Sequence, residues 1–167
     1  FPPPYFPLRI RACRFPILGA FAMRGLNLFS RAALSMAMSR TKLSKAARVG
    51  LLAPYNSWHN RVAVNAFVRD IPANDRHATW NRLAEIESSL PEFCETPVQL
   101  VWGMKDWCFN EQCLQRFMDA WPHASVLKLN DVGHYVCEDA TDDDLSAVIE
   151  FLSQHAVQPD PTEAADD

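Results

Sequence analysis

Residues 97–136 read PVQLVWGMKDWCFNEQCLQRFMDAWPHASVLKLNDVGHYV. Val98, Leu100, Val101 and Trp102 form a short, nearly all-apolar run stopped by Gly103, the pattern of a strand buried on both faces of a parallel sheet. A helix follows. Asn110 can cap its first turn, Glu111 sits where the positive end of the helix dipole favours an acid, and Cys113, Leu114, Phe117, Met118 and Trp121 recur at helical spacing until Pro122. Val126, Leu127 and Leu129 supply the next strand. Strand, helix and strand within about thirty residues make a βαβ unit, with parallel strands and a right-handed crossover.

Parallel strands deliver the loops after their C-terminal ends to one edge of the sheet, where open α/β folds bind ligands. Asp106 follows the first strand and His134 the second, the latter within DVGHY, where Gly133 is expected to let the backbone turn sharply. An acid and a histidine on one edge can hydrogen-bond, the carboxylate holding the ring tautomer and stabilising the imidazolium. Asp106 and His134 are therefore the candidate catalytic residues, two members of a triad. The alternative is a turn-capping aspartate beside an ordinary loop histidine.

The 167 residues, 49% hydrophobic and 22% charged, suit one globular domain. The first residue is Phe1, which points to a processed, truncated or partial chain. A net charge of -4 conceals an asymmetry: residues 1–69 carry eleven bases and no acid, and residues 70–167 five bases and all twenty acids. The bases are spread singly and form no nucleic-acid module, so a basic layer docked on an acidic body is the favoured reading, with no nucleic-acid partner. The longest charge-free run, residues 49–60, contains Pro54, and no transmembrane segment is expected. Five cysteines without paired spacing fit reduced thiols and a cytoplasmic location. Cys108, Cys113, His134 and Cys137 match no standard zinc spacing; the expectation is no metal and no cofactor.

Residues 1–14, with Pro2, Pro3, Pro4 and Pro7, read as an extended connector. From Pro16 an amphipathic helix of about two dozen residues is expected, its arginines opposite Leu18, Phe21, Leu26 and Phe29. Packing on the rest of the protein is favoured over membrane-surface binding. Helices at 44–52, 57–69 and 76–90 follow, separated by prolines, and complete a helical block over 15–91. Residues 92–156 hold the βαβ unit and a final helix marked by Leu145, Val148, Ile149 and Leu152; residues 157–167 form an acidic tail expected to be disordered.

In its motifs the chain resembles the α/β-hydrolase superfamily. VWGMKDW and DVGHYV look like the sites of the triad acid and histidine, in the superfamily order, and the helical block sits where relatives carry a cap. APYNSWHNRVAVNAFVRDIP, residues 53–72, is similar to the cap of haloalkane dehalogenase-like members, and with RACRFPILGAFAMRGLNLF and WGMKDWCF to a subgroup that includes β-lactone decarboxylases of bacterial olefin synthesis. The resemblance implies an α/β fold: a partial α/β-hydrolase fold, helical cap followed by a βαβ unit and a C-terminal helix. It implies an apolar small-molecule substrate and a covalent ester intermediate, with Trp58, Trp107, Phe109 and Tyr135 as candidate pocket walls, although simple core is the favoured reading of each.

The chain also departs from the family. Its glycines, at 19, 25, 50, 103 and 133, are never four apart, so it holds no nucleophile elbow, and a Ser or Asp nucleophile would have to come from a missing N-terminal half. The expected function is the C-terminal portion of a triad enzyme, haloalkane dehalogenase-like first and β-lactone decarboxylase second. The remaining alternative is a catalytically incompetent fragment or membrane-surface protein.

Overall fold

The computed structural model describes residues 2, 3 and 6–156; the tail 157–167 and Pro4 of the connector lie outside the described residues. The N-terminal part is helical: α1 (Leu8–Cys13), α2 (Leu18–Ala20), a π-helical turn at Phe21–Gly25, α3 (Leu28–Met36), α4 (Lys45–Leu52), α5 (Val62–Asp70) and α6 (Ala78–Ser89). After a 3-10 turn at Leu90–Phe93 come β1 (Gln99–Gly103), α7 (Glu111–Ala120), β2 (Ser125–Leu129), α8 (Val136–Asp139) and α9 (Asp142–Gln154).

The βαβ unit forms as its pattern requires. β1 and β2 pair in parallel, Gln99 opposite Ser125 and Gly103 opposite Leu129. The Asn110 side chain accepts from the Gln112 N–H and satisfies one of the orphan donors at the start of α7. Strand β1 is less enclosed than its composition implies: Leu100 and Gly103 are buried, but Val101 and Trp102 only half-buried. Helix α9 opens on a capping box in which Thr141 and Asp144 satisfy each other's backbone N–H.

Two expectations for the N-terminal part fail for local reasons. Residues 8–13, expected to be extended, form α1, because the prolines all lie upstream and Pro7 can precede a helix without costing it a hydrogen bond. The single long helix from Pro16 is broken twice, at Ile17 (φ 61°) and Asn27 (φ 53°). Asn tolerates the left-handed conformation, and Asn27 is 5% exposed with its amide donating to the Tyr55 carbonyl, a bond an unbroken helix would forgo. Helix α5 starts five residues later than expected, after turns in which Ser57 Oγ accepts from the Asn60 N–H. The α1–α3 layer closes on a core of Ile10, Met23 and Val68, with Phe29, Ile71 and Trp107 packed against it.

Arg40 pairs with Asp131 and Asp144, joining the helical part to the loop after β2 and to α9. Four other arginines, Arg9, Arg14, Arg24 and Arg61, are held on carbonyls or rings. Arg61 donates to the carbonyls of Tyr55, Arg24 and Gly25, Arg14 to that of Ile71, and Arg24 stacks on Trp58 at 4.5 Å. With its bases spread singly and several of them held by acids, carbonyls or rings, the protein is expected not to bind duplex DNA or anionic vesicles at physiological salt; a salt-sensitive complex at low micromolar concentration would contradict this.

A second tie is a buried carboxylate. Asp139, with no exposed surface, accepts backbone N–H bonds from Ser39 (2.8 Å), Arg40 (3.1 Å), Thr41 (2.7 Å) and Gly133 (2.8 Å). Burial alone pushes its carboxyl up, but the four N–H groups reverse this and hold it at about 2. A carboxyl held below its ordinary value stabilises the fold above that value and loses the contribution as pH falls toward 2, here about 2 kcal/mol. Denaturation between pH 5 and pH 2 is therefore expected to show a steeper loss in wild type than in Asp139→Asn; equal slopes would refute the assignment.

Candidate active site

Each member of the Asp106 and His134 pair is placed by the residues just past a strand end. Beyond β1, the Met104 N–H donates to the Leu129 carbonyl and the Lys105 N–H to that of Val132, both at 2.9 Å, so the two loops are stitched together by backbone before any side chain acts. Gly103 makes this approach possible, since a Cβ there would lie 2.3 Å from the Gly133 carbonyl oxygen. The chain then turns at Asp106, whose side chain is 8% exposed. Its Oδ1 accepts from the N–H groups of Cys108 (2.7 Å) and Phe109 (2.9 Å), which leaves Oδ2 aimed at the second loop.

His134 meets that oxygen: Nδ1 lies 2.8 Å from Asp106 Oδ2. With the carboxylate as acceptor Nδ1 carries the proton, and Nε2 is the nitrogen that can take one from a nucleophile or a water. The His134 side chain is 29% exposed, enough for a substrate to reach it. Gly133 works otherwise than the turn argument holds. No glycine has a positive φ; a Cβ at Gly133 would lie 2.5 Å from the Ala37 carbonyl oxygen, so what the position requires is room beside the end of α3.

The four aromatic pocket candidates separate. Phe109 and Tyr135 flank the imidazole, with ring centroids 5.3 Å and 5.9 Å from it. Tyr135 also lines a cavity of about 610 Å³ between α3, α4 and α5, together with Phe29, Leu34, Leu51, Tyr55 and Phe67. Trp107 and Trp58 do not line it. Trp107 packs on the Ile10 core, donates its indole N–H to the Met36 carbonyl at 2.9 Å and carries Arg9 over its ring; Trp58 is 49% exposed under Arg24. Sequence reasoning missed Phe29, Leu34 and Phe67 as cavity walls, because a helical apolar stripe reads the same whether it meets core or cavity. It also missed Asp139, three of whose four N–H donors lie about a hundred residues away.

The five cysteines are free thiols. Burial, then the Asp106 charge, pushes the Cys108 thiol up to about 11, which leaves it a poor nucleophile beside the pair. Among the described residues, no cluster of three or more His, Cys, Asp or Glu can hold a metal ion, and no helix is long and apolar enough to cross a membrane.

A family model described as the alpha/beta hydrolase fold matches residues 19–141. The chain belongs to the α/β-hydrolase fold family. Within it, two curated relatives are cis-3-alkyl-4-alkyloxetan-2-one decarboxylases. That of Shewanella oneidensis is 35% identical over 148 residues, covering 89% of this chain and 46% of the relative; that of Xanthomonas campestris pv. campestris is 34% identical over 149 residues, covering 89% and 49%. This α/β-hydrolase chain thus spans about half the length of the curated relatives it matches. Solved haloalkane dehalogenases share its fold. The enzyme of Bradyrhizobium elkani superposes with a TM-score of 0.77 at 20% identity over 88% of this chain and 50% of its own, and that of Agrobacterium tumefaciens with 0.71 at 16% identity over 89% and 51%.

Proposed function

We propose that this chain is the C-terminal portion of an α/β-hydrolase enzyme, a cap over 15–91 followed by the last part of the core over 92–156. In this reading Asp106 and His134 are the acid and base of a nucleophile–acid–histidine triad. The observation that carries it is the 2.8 Å bond between the two side chains at the C-terminal edge of two parallel strands. The nucleophile and the oxyanion site come from an N-terminal half. Two features support such a partner: the sheet has only two strands among the described residues, and Ile149 and Leu152 of α9 stand 64% and 61% exposed where a larger sheet would cover them. The free thiols fit a reducing compartment, and the cytoplasm is the proposed location.

Two substrate classes follow from the relatives. The 35% and 34% identity to oxetan-2-one decarboxylases, over nine-tenths of the chain, favours a β-lactone bearing two alkyl chains, opened and split to an alkene and carbon dioxide with no water consumed. The fold shared with haloalkane dehalogenases supports the second reading. There, an ester formed by displacement of halide is hydrolysed by water that His134 deprotonates. The apolar cavity suits either. The test offers the assembled enzyme a cis-3,4-dialkyl oxetan-2-one and a long 1-haloalkane. Carbon dioxide and alkene release is expected from the first, with little halide from the second; halide release alone would reverse the order, and neither product would refute both.

A further inference from the structure

The end of the cap helix α3 touches both loops of the candidate pair. The Trp107 indole N–H, one residue beyond Asp106, donates to the Met36 carbonyl, and the Tyr135 N–H, one residue beyond His134, donates to the Ala37 carbonyl at 3.0 Å. Beyond Met38, Ser39, Arg40 and Thr41 all turn their N–H groups onto the Asp139 carboxylate, which at the same time holds the N–H of Gly133. The Arg40 side chain adds a pair of bonds to Asp131 (2.7 and 2.6 Å). The His134 loop is thus gripped on both sides of the imidazole by one five-residue stretch of the cap, and the Asp106 loop is gripped by the residue just before that stretch.

We propose that the C-terminal end of α3 and the turn after it hold both members of the Asp106–His134 pair in register, with Asp139 and Trp107 as positioning residues; the proposal rests on the triad reading above. Neither side chain touches a reacting atom in this account. Asp139 fixes the backbone from which the imidazole projects, and Trp107 fixes the turn from which the carboxylate projects. Their common attachment is α3, whose Phe29, Ala33 and Leu34 also line the apolar cavity. The helix that lines the apolar cavity is therefore the one that sets the acid–base geometry, and the cap is part of the catalytic frame as well as a cover.

The test uses the assembled enzyme and compares wild type with Asp139→Asn and Trp107→Phe. Asn keeps the size of the carboxylate but faces the converging N–H groups with an amide, and Phe keeps a ring but lacks the indole N–H. The readouts are the far-downfield proton resonance of the hydrogen-bonded His134 Nδ1–H, recorded without substrate, and the split between kcat and KM. Both variants are expected to weaken or lose the resonance. Their kcat is expected to fall about ten- to a hundred-fold, as for a misplacement on the order of an ångström, with KM within about twofold because the cavity wall is untouched. Glu87→Gln, which loosens the Arg116 pair between α6 and α7, is the destabilised control and should keep the resonance. If Asp139→Asn fails to fold, Trp107→Phe carries the test. A folded variant that keeps both resonance and kcat overturns the proposal, as does a wild type lacking the resonance. Loss of the resonance in the variants upholds it even where neither substrate is turned over, whereas the functional reading fails through absent wild-type turnover.

Discussion

Replacing His134 by Ala in the assembled enzyme is expected to lower steady-state turnover by about a hundred- to ten-thousand-fold, the span of a positioned general base. The route of failure is informative. If the nucleophile is Asp and the substrate a haloalkane, it attacks the electrophilic carbon without help from a base, and only the later hydrolysis needs the imidazole, so the ester on the enzyme accumulates. Intact mass measured at steady state should then show the alkyl adduct in the variant and little of it in wild type. Asp106→Asn should fall within the same range without altering the cavity, because it leaves the ring near its place but removes the charge that selects the Nδ1–H tautomer. Wild-type turnover by His134→Ala would end the triad reading.

The second large effect is the dependence on a partner half. The chain alone is expected to show no turnover of haloalkanes, simple esters or β-lactones, since none of its glycines frames a nucleophile elbow. Co-expression with an N-terminal half carrying the remaining strands and the elbow should bring activity up by at least about a hundred-fold over the chain alone, all of it sensitive to His134. The new interface would resemble a domain core cut in two, covering β1 and the exposed face of α9. Robust turnover by the chain alone, lost on His134→Ala, would mean that one of its own residues serves as nucleophile.

What could be read from the residues was whatever is decided within a turn or two of itself. The apolar run at 98–102, the Asn110 cap, the helical stripe of α7 and the Leu145, Val148, Ile149 and Leu152 stripe of α9 each carry their cause locally, and the parallel pairing follows from the crossover. The facing of Asp106 and His134 was legible for the same reason, since two successive parallel strands leave no other edge for the residues after them. What escaped was decided at a distance. The break at Asn27 answers a carbonyl 28 residues on. The small residue at Gly133 answers the Ala37 carbonyl, and the burial of Asp139 answers three amides of a turn that shows no signal of its own. Trp107 and Trp58 illustrate a further limit, since composition ranks aromatics as pocket walls but only packing decides which of them a cavity receives.

The Asp139 clamp also bears on the order in which the molecule acquires its parts. The βαβ unit closes contacts between residues 26 apart, from Gln99 to Ser125, whereas Asp139 joins Ser39 across 100 positions. Loop-closure entropy rises with the logarithm of that span, and folding rates fall as contacts become more remote in sequence, so the βαβ unit is expected to form before the clamp. On the ribosome the three amides of the turn emerge about a hundred residues before the carboxylate that unites them. The nascent chain is therefore expected to pass through a stage in which β1, α7 and β2 are formed but the turn after α3 is not yet clamped to the His134 loop.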